Sequence, residues 1–163
     1  MIQYYFISLV IIILDQLTKY LTASNLDLGQ TINLIPNVLS LTHVQNTGAS
    51  WSIFEGQMVF FYLVTILVVA FLIYLLHKEG KKSALLATAI VFMIGGALGN
   101  FIDRLFHQYV IDMIQVDFMS FPIFNIADIA LTTGVILMLV AVLYDEYMMK
   151  GGEEGWLKEE KSG

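Results

Sequence analysis

Four stretches of the chain are nearly free of charge for long enough to matter: about Tyr4 to Thr22, Met58 to Leu76, Ser83 to Phe101 and Ile126 to Tyr144. Each comes to the ~20 residues with which a helix crosses a hydrocarbon core of ~30 Å. The pattern predicts one integral membrane domain over residues 1–163 with four transmembrane helices and both termini on the same side. Between the first two spans, residues 24–57 hold Pro36 and β-leaning Val38, Leu39, Leu41, Thr42 and Val44, leading into Asn46-Thr47-Gly48. A small extracytoplasmic β-sheet is the expectation there. Residues 105–124 are short and apolar, with Tyr109, Phe118, Phe121 and Pro122 spread along them, which predicts an outer interfacial segment at the lipid boundary. The tail from Gly151 to Gly163 is polar and shows no apolar period, so it is expected to be disordered.

Charge adds an orientation. Lys78, Lys81 and Lys82 follow the second span, whereas residues 24–57 and 105–124 contain no Lys or Arg. By the positive-inside rule the lysine loop and both termini are cytoplasmic, and both longer connections lie outside. The first span has no basic residues before it and is interrupted by Asp15 and Lys19, so it reads as a retained helix rather than a cleaved signal peptide.

Composition narrows the chemistry. A chain that is 58% hydrophobic and 13% charged, with mean hydropathy +0.75, does not belong to the ordinary soluble proteins. It has no cysteine, which removes thiol nucleophiles and thiolate metal sites, and His43, His77 and His107 form no local ligand pair. No metal and no cofactor are expected. The formal charge of −6 argues against a nucleic-acid partner, although much of it sits between Asp145 and Glu160.

Against this background the remaining polar groups stand out, since a charge within a span costs roughly 2.5–3.5 kcal/mol to insert. Asp15 and Lys19 are four apart on one helix face and can neutralise each other, which is a structural role. The third span ends in GGALGNFIDR: Gly95 and Gly99 allow a close helix approach, Asn100 and Arg104 share a face, and Asp103 lies beside them. Asp103 and Arg104 could simply pair, or Arg104 could hold a phosphate or a carbonyl. Asp112 has no basic residue within seven positions and Asp128 none within twenty. Asn125 and Asp128 share a face at the start of the fourth helix, where Asp128 could also serve only as a first-turn cap. Asp117 competes with Asp112, and spacing does not separate them. Two such carboxylates brought together cannot both ionise easily, so one keeps a proton and the pair offers an acid and a base to a water attacking a peptide carbonyl.

Five motifs in order resemble one known family. They are LDQLTKY in the first span, QNTGASWSIF in the outer segment, GGALGNFIDR, VIDM, and FPIFNIADIAL opening the fourth span. Together they resemble the lipoprotein signal peptidases (signal peptidase II) over nearly the whole chain. The resemblance implies a bacterial membrane aspartyl endopeptidase whose catalytic dyad is Asp112 and Asp128. The supporting residues it implies are Asp15, Lys19, Asn46, Gly48, Asn100, Asp103, Arg104 and Asn125, which hold the dyad and the substrate backbone. It further implies an extracytoplasmic β-cradle near residues 24–57 and a prolipoprotein substrate cut just before a diacylglyceryl cysteine. Contact with membrane lipids, a place in the bacterial plasma membrane and inhibition by the cyclic peptide globomycin also follow from it, and a monomer is expected to suffice. Two residues depart from the family pattern: Gln108, where glycine is frequent, and Ile129, where a small polar residue is common. Rival readings are a four-span transporter with a proton-coupled carboxylate, and a purely structural membrane protein.

Overall fold

A computed structural model describes the backbone of residues 2–48 and 56–160, and the side chains as far as residue 147. The elements run α1 (Ile2–Asn25), β1 (Thr31–Ile35), β2 (Leu39–Asn46), α2 (Met58–Glu79), α3 (Ala84–His107), β3 (Val110–Val116) and α4 (Ile126–Glu160). All four helices are long and apolar enough to span a membrane. Residues 49–55, which include most of the QNTGASWSIF motif and part of the expected cradle, lie outside the described residues.

α3 is the hub and packs against α1, α2 and α4. Its buried positions explain why. Gly95 lies against Ile11 and Ser8 of α1, while Gly96 and Gly134 bring α3 and α4 so close that a Cβ on Gly96 would meet the Ala127 carbonyl. Small residues substitute for the missing hydrophobic force between helices in lipid by letting backbones touch. α1 faces the hub with a seam of Ser8, Ile11, Asp15, Lys19 and Thr22, spaced by threes and fours as one helix face requires. α2 is apolar all round and buries Leu72 and Leu76 into a cluster with Ala87, Ile90, Val91 and Ile94. Its other faces, including Val59, Leu63, Leu67 and Phe71, are left for lipid.

The sheet is antiparallel in the order β1-β2-β3. Its third strand, Val110–Val116, lies within the segment expected to rest at the lipid boundary and pairs with β2 from Leu39↔Val116 to Asn46↔Val110. The Val/Ile-rich run satisfies its backbone groups by joining β2. Phe118, Met119 and Phe121 beyond the strand do remain exposed. α4 runs as helix as far as Glu160, into the tail for which disorder was expected. Extension of an already nucleated helix adds a hydrogen bond per residue, and Glu, Leu and Lys favour it, which offsets the three glycines at 151, 152 and 155.

Candidate active site

The end of the bundle next to the sheet is held by one ammonium group. Lys19 Nζ reaches Asp15 Oδ2 at 2.8 Å, Asp103 Oδ2 at 3.0 Å and Asn100 Oδ1 at 3.0 Å, which uses all three of its donors. Lys19, Asp15 and Asp103 are each 2% exposed or less. Ion desolvation costs several kcal/mol per charge, so such a trio is stable only with this degree of saturation. Gln16 completes it by donating to Asp103 Oδ1 at 2.8 Å, to Asp15 Oδ2 at 3.2 Å and to the Gly99 carbonyl at 3.2 Å.

Each carboxylate of the trio then grips the backbone next to one candidate dyad residue. Asp103 Oδ2 accepts from Ile111 N at 3.1 Å, one residue before Asp112. Asp15 Oδ1 accepts from Ala127 N at 2.9 Å, one residue before Asp128. Gly99 belongs to the same construction, because a Cβ there would lie 2.7 Å from Asp15 Oδ2. The expected Asp15–Lys19 pairing is therefore present, and it has a second function in fixing where β3 begins and where α4 begins.

Asn125 links the two carboxylates. Its Nδ2 donates to Asp112 Oδ1 at 2.7 Å and to Asn100 Oδ1 at 3.0 Å, and its backbone N donates to Asp128 Oδ2 at 3.2 Å. Asn125 Oδ1 accepts from Asp128 N at 3.0 Å, so the pair forms a reciprocal cap at the α4 N-terminus. The capping role considered for Asp128 is real, and the carboxylate also faces the cavity. Asn100 Nδ2 donates to Asp128 Oδ1 at 2.8 Å, and Asn46 Nδ2 donates to Asp112 Oδ2 at 2.9 Å. Asn46 is itself oriented, because its Oδ1 accepts from Gly48 N at 2.9 Å.

Burial pushes the Asp112 carboxyl up to about 6, and the neighbouring Asp128 adds to the rise. Hydrogen bonds from Asn46 and Asn125, and weakly the charge of Lys19, act in the opposite direction. Asp117 is elsewhere: exposed, and bonded by Ser40 Oγ at 2.6 Å and Gln115 Nε2 at 3.1 Å.

Both dyad candidates line a cavity of about 770 Å³ between α2, α3 and α4, bounded on the sheet side by Val110 and by the segment Phe121 to Phe124. Val64, Val68, Leu131 and Ile129 make most of its wall apolar, while Asn46, Asn100 and Arg104 supply the polar side. Arg104 is fixed by stacking over Phe61 at 4.4 Å and by Nη2 donating to the Gly48 carbonyl at 3.2 Å. Tyr62 Oη donates to the Arg104 carbonyl at 2.8 Å. Arg104 does not pair with Asp103, contrary to one of the alternatives open in the sequence. Among the described residues no group of three His, Asp or Glu side chains forms a metal ligand set.

The ten residues that the resemblance implied lie together here. Three others were missed. Gln16 was visible as an amide inside an apolar span, whereas Phe61 and Tyr62 carry no sequence signal that separates them from lipid-facing aromatics. Of the two departures, Gln108 is the α3 C-cap and takes φ 64°, the left-handed conformation a glycine would occupy, so the turn into β3 is retained. Ile129 lies on the cavity rim.

Comparison with known proteins shows the family of the chain. A family model described as signal peptidase (SPase) II matches residues 7–144. A lipoprotein signal peptidase of Enterococcus faecalis is 49% identical over 155 residues, covering 95% of this chain and 96% of that one. One of Listeria monocytogenes is 49% identical over 150 residues, covering 91% and 97%. Two solved bacterial membrane enzymes, each 40% identical, superpose with TM-scores of 0.85 and 0.82 over 88% of this chain, covering 89% and 94% of theirs.

Proposed function

Because the chain belongs to the signal peptidase II family, we propose that it is an aspartyl endopeptidase that removes signal peptides from diacylglyceryl-modified prolipoproteins. Asp112 and Asp128 form the dyad. Support comes first from their shared cavity: two carboxylates joined through Asn125 border a largely apolar space between membrane helices. A peptide whose cysteine is anchored by acyl chains must be presented at that depth, since the chains stay in the bilayer. The apolar walls from α2 and α4 suit those chains, and the polar wall suits the peptide.

In the reaction a water attacks the carbonyl carbon of the bond just before the lipidated cysteine. The anionic carboxylate takes a proton from that water, and the protonated one gives its proton to the carbonyl oxygen. Collapse of the tetrahedral intermediate breaks the C–N bond and passes a proton to the leaving amine. Asn46, Asn100 and Asn125 hold the carboxylates in place, and Arg104 is available to the substrate backbone. The termini and lysine loop are cytoplasmic, the site faces the outer leaflet, a monomer suffices, and globomycin competes for the same cavity.

Asp112→Asn and Asp128→Asn should each reduce cleavage of a lipidated prolipoprotein by at least about a thousandfold, with membrane insertion unchanged. Cleavage at an undiminished rate in either variant refutes the dyad.

A further inference from the structure

The two carboxylates of the dyad are held by different kinds of donor. Asp112 receives two neutral side-chain amides, those of Asn46 and Asn125. Asp128 sits in the first turn of α4, where the helix dipole favours negative charge, and its Oδ2 accepts from the backbone N of Asn125. Its Oδ1 accepts from the Asn100 amide, and that amide is locked. Lys19 Nζ can only donate, so it requires Asn100 Oδ1 toward itself and leaves Nδ2 for Asp128. A cation on the oxygen of an amide polarises it and strengthens the N–H donor at the other end.

Other charged groups surround the pair. From α3, Arg104 lines the same cavity as both carboxylates. From β3 comes Asp112 itself, and from α1 Asp15 reaches this turn only through Ala127 N. The α2 residues lining the cavity, Val64, Thr65 and Val68, carry no charge. Lys19 is faced by Asp15 and Asp103, which leave it part of a fixed cluster rather than a mobile cation.

We infer that Lys19, acting through the Asn100 amide, sets the polarity of the dyad, making Asp128 the anion that takes the proton from the attacking water and Asp112 the acid that protonates the carbonyl oxygen. The inference rests on the aspartyl reading above and gives each carboxylate one role. Asp128 gains the water proton as the C–O bond forms, then passes it to the amine nitrogen as the C–N bond breaks. Asp112 gives its proton to the carbonyl oxygen and recovers one when the new carboxyl group forms. Lys19 is a positioning residue that acts through Asn100.

The test is the pH profile of kcat/KM on a peptide carrying a diacylglyceryl cysteine. Lys19→Met should move the acidic limb upward by about 1–2 pH units, and Lys19→Arg should leave it near the wild-type position. Asn100→Ala cuts the relay without stranding a buried charge, should move the limb in the same direction, and decides the matter if Lys19→Met does not fold. A folded Asn100→Ala or Lys19→Met enzyme with an unmoved limb overturns the inference. Infrared spectra of the two dyad variants supply a second readout at about pH 5, below the Asp112 value of about 6. The protonated-carboxyl stretch should be lost in Asp112→Asn and kept in Asp128→Asn. The opposite pattern in inactive variants overturns the polarity while leaving the dyad intact, whereas cleavage by either variant refutes the dyad itself.

Discussion

The two ends of the bundle are built on opposite principles. Near the lysine loop, α2 and α3 meet through Leu72, Leu76, Ala87, Ile90, Val91 and Ile94, with no charge in the cluster. At the other end, Lys19, Asp15, Asp103, Asn100, Asn125 and Asp112 are buried within the same helices or against them. The apolar end needs only shape, and its contacts tolerate small adjustments. The polar end carries groups that lipid disfavours, and every one of them is placed by a partner on another element. Such an arrangement makes sense where geometry serves chemistry, because ordinary helix packing in a membrane does not need buried ions.

The largest effect should come from enlarging the joint on which the polar end depends. In Gly96→Leu the new side chain must displace the Ala127 carbonyl and Leu131, in the turn that Asp15 and Asn125 cap. Cleavage should fall by at least about a thousandfold and the melting temperature should drop sharply, since overpacking of a backbone contact cannot relax. A Gly96→Leu enzyme with near-normal cleavage would show that the polar end is more forgiving than its contacts suggest. A smaller and cleaner contrast is expected at the apolar end. Ile90→Ala leaves a cavity in the α2–α3 cluster and should cost about 2–5 kcal/mol in thermal or denaturant unfolding, with the pH dependence of cleavage unchanged. A shifted pH profile in that variant would mean that the two ends are coupled.

Much of this contrast was legible in the chain. Charge-free length gave the four helices, and the rarity of polar residues within them pointed to Asp15, Lys19, Asn100, Asp103, Arg104, Asn125 and Asp128. The choice of Asp112 over Asp117 came from the motif VIDM, and in the structure it is Asp112 that receives the amides of Asn46 and Asn125. What pattern could not supply was partnership across elements. Nothing local to Asp15 says that it receives the amide of Ala127, 112 residues away. The same holds for β3, whose partner strand lies 66 positions earlier where Asn46 meets Asp112. Gln108 is a further case: a left-handed turn favours glycine, so a glutamine there hid a conformation that the fold imposes anyway.

The claim that the polar end is arranged for chemistry at the expense of stability can be measured at a single residue. Burial raises the Asp112 carboxyl from the ordinary 3.8 to about 6, so between those values the folded protein binds the proton more tightly than the unfolded chain. Its contribution is therefore fully present below about pH 4 and declines as pH rises through 6, by up to about 3 kcal/mol. Melting temperatures of Asp112→Asn and wild type, taken from about pH 4 to about pH 8 together with prolipoprotein cleavage, test this directly. The variant should be inactive throughout and should gain stability relative to wild type as pH rises, reaching a plateau above about 7. Retained cleavage, or a stability difference that does not change with pH, would contradict the assignment of Asp112 as a buried catalytic carboxyl.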